Sequence, residues 1–155
     1  MIYFLICAAI IAVDFVTKRW AAAVLSKLDT IQLWRNVFNL TYVENRGAAF
    51  GIFQNQRVFF IILTALILAA VAFAVLRCKN RPKILNTGLC FIVGGAVGNL
   101  IDRVWLGFVV DMFDFRLINF PVFNVADIFV CVGAALIAIY FIVFDNKETK
   151  DDECN

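Results

Sequence analysis

Long apolar runs alternate with short polar or mixed segments along the 155 residues. Residues 58–76 form the cleanest run, with Thr64 as the only polar side chain, a hydroxyl that can bond its own helix backbone. Residues 84–105 form another, rich in small side chains, in which Gly94 and Gly98 make a G-x-x-x-G that would let a second helix approach closely. The run 128–144 contains only the phenol of Tyr140 as a polar group; it is short for a crossing of ~20 residues, so its helix is expected to begin near Asn124. Residues 2–25 are apolar up to Val13 and then meet Asp14, Thr17, Lys18 and Arg19. A cleavable leader would carry its positive charge before the apolar run, whereas Lys18 and Arg19 follow it, which favours a retained helix.

The segments between these runs differ in character. Residues 77–83 carry four positive charges and no negative one, a density that marks a cytoplasmic loop. With four crossings both termini then lie in the cytoplasm, and the polar tail 145–155 reads as a solvated end. Within 26–57, stretches such as Ile31-Gln-Leu-Trp34 and Phe38-Asn-Leu-Thr-Tyr-Val43 alternate apolar and polar residues, the period of strands. Residues 106–123 are apolar except at Asp111, Asp114, Arg116 and Asn119, and read as an interfacial segment dipping into the bilayer. The expected fold is an all-α membrane protein: four transmembrane helices, a small extracytoplasmic antiparallel β-sheet and an interfacial segment. It forms one integral-membrane domain over 1–155, with spans near 2–25, 58–76, 84–105 and 124–144.

Composition narrows the chemistry. The hydrophobic fraction of 63 % stands well above the ~45–50 % of soluble domains, and the mean hydropathy is +0.88. The net charge of +2 comes with no basic patch, so no nucleic-acid partner is expected. Five scattered cysteines without C-x-x-C spacing read as thiols, not as a disulfide or zinc framework. The chain has no histidine and one serine, Ser26, which excludes Ser-His or Cys-His nucleophiles and imidazole metal sites. Hydrolysis, if present, falls to carboxylates.

Two carboxylates invite that reading. Asp111 and Asp127 flank a stretch rich in Phe, Val, Ile and Leu, where an ionised group is costly. Asp127 alone has a plain account: Pro121 blocks helix upstream, Asn124 can cap, and an acid three residues later completes a capping box. That account leaves Asp111 unexplained. Two carboxyls brought together would share a proton near neutral pH, one activating a water and the other donating to a carbonyl oxygen. Asn99, Asp102 and Arg103 fall near the end of the third span, either as an interfacial anchor or with Arg103 holding a carbonyl or carboxylate. Asp14 and Lys18 are spaced for an i,i+4 pair that neutralises itself in lipid and supports structure. The competing reading is a proton-coupled transporter or channel with Asp14, Asp102, Asp111 and Asp127 as relay groups. It calls for acids at several depths and a two-half repeat; here the acids cluster toward one side and no repeat is present.

Five motifs occur together and in order: Asp14-Phe-Val-Thr-Lys18, Asn45-Arg-Gly-Ala-Ala-Phe-Gly51, Gly98-Asn-Leu-Ile-Asp-Arg103, Val109-Val-Asp111 and Phe120-Pro-Val-Phe-Asn-Val-Ala-Asp127. Over nearly its whole length the chain resembles the bacterial lipoprotein signal peptidases (signal peptidase II). The resemblance implies a multi-pass aspartyl endopeptidase of the bacterial inner membrane, with its site near the outer face. Such an enzyme removes the signal peptide of prolipoproteins just before a cysteine already modified with diacylglycerol. It implies Asp111 and Asp127 as the catalytic dyad, with Asn45, Arg46, Gly51, Asn99, Arg103, Asn124, Asp14 and Lys18 lining or supporting the site. Asp102 is read as structural. The implied partners are the lipidated precursor, membrane lipid and the inhibitor globomycin; no metal or organic cofactor is implied, and one chain suffices for the dyad. Phe15 and Ile128 depart from the family pattern at positions where polar residues are common, which bears on pocket polarity and removes no catalytic group.

Overall fold

The computed structural model describes residues 1–47, 53–78, 80–118 and 120–143. Four helices carry the architecture: α1 (Ile2–Leu28), α2 (Arg57–Arg77), α3 (Lys83–Trp105) and α4 (Val125–Val143). By length and composition α2, α3 and α4 suit a membrane crossing. The 27 residues of α1 would reach ~40 Å at 1.5 Å per residue, long enough to cross and continue beyond. Its charged residues Asp14 and Lys18 are both buried among the other helices.

Helix α3 is the centre of the bundle, and its small residues explain why. Gly94 faces Ile10 of α1, and a Cβ on Gly98 would fall 2.6 Å from the Asp14 carboxylate, so the G-x-x-x-G seats α1. On the other side Gly95 lies against the Ala126 backbone of α4. Helix α2 stands apart, with no buried residue. Its C-terminal carbonyls are capped by Arg81, whose Nη1 donates to Ala74 O at 3.0 Å and Val75 O at 2.9 Å. Cys7, Cys90 and Cys131 are free thiols.

Three antiparallel strands, β1 (Thr30–Trp34), β2 (Phe38–Asn45) and β3 (Val109–Phe115), form one sheet in that order. The β1–β2 turn includes Asn36 at φ 58°, a left-handed position that asparagine tolerates. The sheet rests on the last turns of α1 through Ala21, Leu25, Val110 and Met112, all fully buried.

The first half of the segment 106–123 is the third strand, followed by a 3₁₀ turn at Arg116–Ile118. Strand β3 is covered on both faces, so its sequence is a nearly continuous apolar run and the period of two disappears. After the 3₁₀ turn the chain doubles back. Phe123 O accepts from Met112 N and Phe113 N, and Phe123 N donates to Phe113 O at 3.1 Å. That return lays Asn124 and the start of α4 beside Asp111.

Candidate active site

Asp111 and Asp127 arrive by different routes and meet at Asn124. Asp111 lies mid-strand in β3, opposite Val43 of β2, so Asn45 is its diagonal neighbour on the same face. Asn45 Nδ2 donates to Asp111 Oδ2 at 2.9 Å, while its own Oδ1 accepts from Gly47 N at 3.0 Å, which fixes the amide. Asp127 occupies the first turn of α4 in the capping box expected from the sequence: Asn124 N donates to Asp127 Oδ2 at 3.2 Å, and Asp127 N to Asn124 Oδ1 at 3.0 Å. The Asn124 amide then reaches the other way, and its Nδ2 donates to Asp111 Oδ1 at 2.6 Å. One residue thus holds both carboxyl groups.

Asn99 extends the network. Its Nδ2 donates to Asp127 Oδ1 at 2.8 Å, and its Oδ1 accepts from Lys18 Nζ at 2.8 Å and Asn124 Nδ2 at 3.2 Å. Lys18 is almost fully buried and also pairs with Asp14 Oδ2 at 2.7 Å and Asp102 Oδ2 at 3.3 Å. The free oxygen of Asp14 accepts from Ala126 N at 2.8 Å, and Asp102 Oδ2 also accepts from Val110 N at 3.1 Å. Each of these two carboxylates therefore pins the backbone one residue before Asp127 or Asp111. Spacing alone offered Lys18 a single partner, Asp14; its links to Asn99 and Asp102 are tertiary and had no local signal.

The remaining sequence candidates lie farther out. Arg103 stacks over Phe60 of α2, 4.9 Å from the ring centroid, and among the described residues no carboxylate is within ion-pair distance of it. Asn99, Asp102 and Arg103 thus diverge, toward Asp127, Lys18 and α2 respectively. Arg46 pairs with Glu44 at 2.8 Å and lies over the Phe108 ring. Gly51 falls outside the described residues. Among the described residues no three acidic, cysteine or histidine side chains come together as a metal site.

Electrostatics single out Asp111. Burial disfavours its ionised form, the charge of Asp127 adds to the effect, and the donors Asn45 and Asn124 only partly offset both. Its carboxyl is pushed up to about 7. A buried acid that keeps its proton near neutrality can donate it.

The profile of the signal peptidase (SPase) II family matches residues 6–143. The chain belongs to the signal peptidase II family. A lipoprotein signal peptidase of Clostridioides difficile is 47 % identical over 149 residues, covering 95 % of this chain and 99 % of the relative. One from Brevibacillus brevis is 41 % identical, covering 97 % and 100 %. A solved structure described as a bacterial membrane enzyme superposes with a TM-score of 0.88 at 32 % identity, covering 97 % of this chain and 94 % of that one. Membership makes this chain a membrane peptidase of lipoprotein processing, and the helical bundle with its small antiparallel sheet agrees with that placement.

Proposed function

We propose that this signal peptidase II is an aspartic endopeptidase that cleaves diacylglyceryl-modified prolipoproteins before the lipidated cysteine. Asp111 and Asp127 form its dyad. The observation that carries the reading is the meeting of the buried Asp111 carboxyl and the half-buried Asp127 carboxyl on one asparagine, with only amide and backbone donors as their hydrogen-bond partners. Without a salt-bridged cation, two such carboxyls are most stable holding one proton between them.

In the reaction, ionised Asp127 takes a proton from a water lying between the carboxyls, and the water oxygen attacks the scissile carbonyl carbon. Asp111 gives its proton to the carbonyl oxygen. As the tetrahedral intermediate collapses, the C–N bond breaks, the leaving nitrogen takes up the proton that Asp127 had received, and one hydroxyl of the diol returns its proton to Asp111. Asn45, Asn99 and Asn124 hold the carboxyls in place, while Asp14, Lys18 and Asp102 fix the backbone that carries them. Arg46 and Arg103 flank the dyad within reach of an extended peptide, and Gly51 belongs to the motif that begins at Asn45.

The chain acts as one integral-membrane domain and as a monomer, since a single chain supplies both acids. The basic loop 77–83 supports an orientation with both termini in the cytoplasm and the sheet and dyad at the outer face. A lipidated substrate then reaches the dyad laterally from the bilayer. Globomycin would compete at the same place.

Membranes carrying the chain, given a diacylglyceryl-cysteine precursor, test the proposal. Wild type should cleave, and globomycin should stop it. Asp111→Asn and Asp127→Asn should each lower cleavage by about a thousandfold or more while precursor binding persists. Substantial cleavage by either variant would rule the dyad out.

A further inference from the structure

Helices α1 and α3 leave an apolar groove of about 450 Å³ between them, lined by Phe4, Ile11 and Phe15 on one side and Ile101 and Trp105 on the other. It is separate from the aspartate site. Ile101 lies two residues from both Asn99 and Arg103, and two residues along a helix turn the side chain by ~200°, so the groove opens on the opposite side of α3. From Phe4 to Phe15 it runs ~16 Å along α1, about half of the ~30 Å hydrocarbon core and so one leaflet deep.

The groove lining is apolar, and a cation stands just beyond its Phe15 end. One turn beyond Phe15, the Arg19 guanidinium sits over the Phe15 ring, 5.4 Å from its centroid. Its one ion pair among the described residues is long, Nη2 to Asp102 Oδ1 at 3.6 Å, and Asp102 is shared with Lys18 at 3.3 Å. The buried Arg19 Nε has no hydrogen-bond partner among the described residues. A guanidinium offers five N–H donors in a planar fork, a shape that matches phosphate. Trp105, 72 % exposed, stands at the same end, at the level where indoles meet headgroups.

We propose that this groove is a binding site for a glycerophospholipid, one acyl chain lying along Phe4, Ile11 and Ile101 and the phosphate bonded to Arg19. The phosphate sets this ligand apart from the diacylglyceryl group of a precursor, which has acyl chains and no anion to offer Arg19. The lipid fills the gap between α1 and α3 and gives the exposed part of the Arg19 fork an anion.

Native mass spectrometry of the full chain in mild detergent tests the site. The probes are phosphatidylglycerol, phosphatidylcholine and diacylglycerol with matched acyl chains. Wild type should retain one phospholipid per chain, with diacylglycerol held about tenfold more weakly, the loss expected for one charge-assisted phosphate contact. Arg19→Gln should weaken phospholipid retention about tenfold and leave diacylglycerol unchanged. Ala12→Phe, at an exposed position lining the groove, should displace both kinds of lipid. Retention by Arg19→Gln equal to wild type, equal binding of diacylglycerol and phospholipid, or no effect of Ala12→Phe would each overturn the assignment.

Discussion

Two pairs of aspartates serve one site in this molecule and meet opposite fates. Asp14 and Asp102 close on one lysine, with Lys18 Nζ 2.7 Å and 3.3 Å away. Asp111 and Asp127 receive amide and backbone N–H donors, and the nearby cation Arg103 is stacked on Phe60. Asp14, Asp102 and Asp111 are removed from bulk water and Asp127 is half-buried, so compensation decides how each behaves. A carboxylate beside a buried cation has its charge balanced there and serves as a brace; Asp111, given only neutral donors beside a second acid, holds a proton it can release. The brace also serves the reactive pair, because Asp14 and Asp102 grip the Ala126 and Val110 amides that precede Asp127 and Asp111.

Removing the cation attacks the comparison hardest. Lys18→Met takes the shared lysine from two buried carboxylates, leaving Asp102 only its long pair with Arg19, and should cost about 3–5 kcal/mol of stability, seen as a large drop in detergent melting temperature. Unchanged melting would show that the brace is not ionic. Asp102→Asn keeps an oxygen for the Val110 amide but gives up one charge, so a smaller cost of about 1–3 kcal/mol is expected. Turnover of the folded fraction should fall less than stability does; lost activity with unaltered melting would move Asp102 from the brace to the chemistry. Asn45→Ala is the mildest change, deleting one of two amide donors to Asp111. Cleavage should drop by about tenfold. Because that hydrogen bond favours the ionised carboxyl, its loss should raise the Asp111 pKa further, so the alkaline limb of the pH–rate profile should move upward.

Much of the bundle was legible because apolar runs of bilayer length leave few alternatives. The capping box at Asn124 and Asp127 could also be read locally, as could a close helix approach at Gly94 and Gly98, though not that α1 makes it. Strand β3 could not. Covered on both faces, Val109–Phe115 shows no alternation, and only pairing with β2 reveals it as a strand. The same fact hid how Asp111 reaches Asn45, a contact between residues 66 apart. Lys18 shows the opposite limit: i,i+4 spacing disclosed its pairing with Asp14, while Asn99 and Asp102, on another helix, set its place in the site. Residue types exposed the chemistry more readily than spacing did. Without histidine, acids were the remaining choice for water activation.

The shared proton can be watched directly by following the infrared carbonyl band of the protonated Asp111 carboxyl across pH, with Asp111→Asn to assign it. In wild type the band should fade with a midpoint at about 7, and cleavage should decline over the same rise in pH as the donor is lost. In Asp127→Asn the neighbouring negative charge is gone, so the midpoint should shift downward, while burial keeps it above the ordinary carboxyl range. A band that fades at the pH of an ordinary exposed carboxyl, or one whose midpoint ignores the substitution at Asp127, would contradict two acids holding one proton.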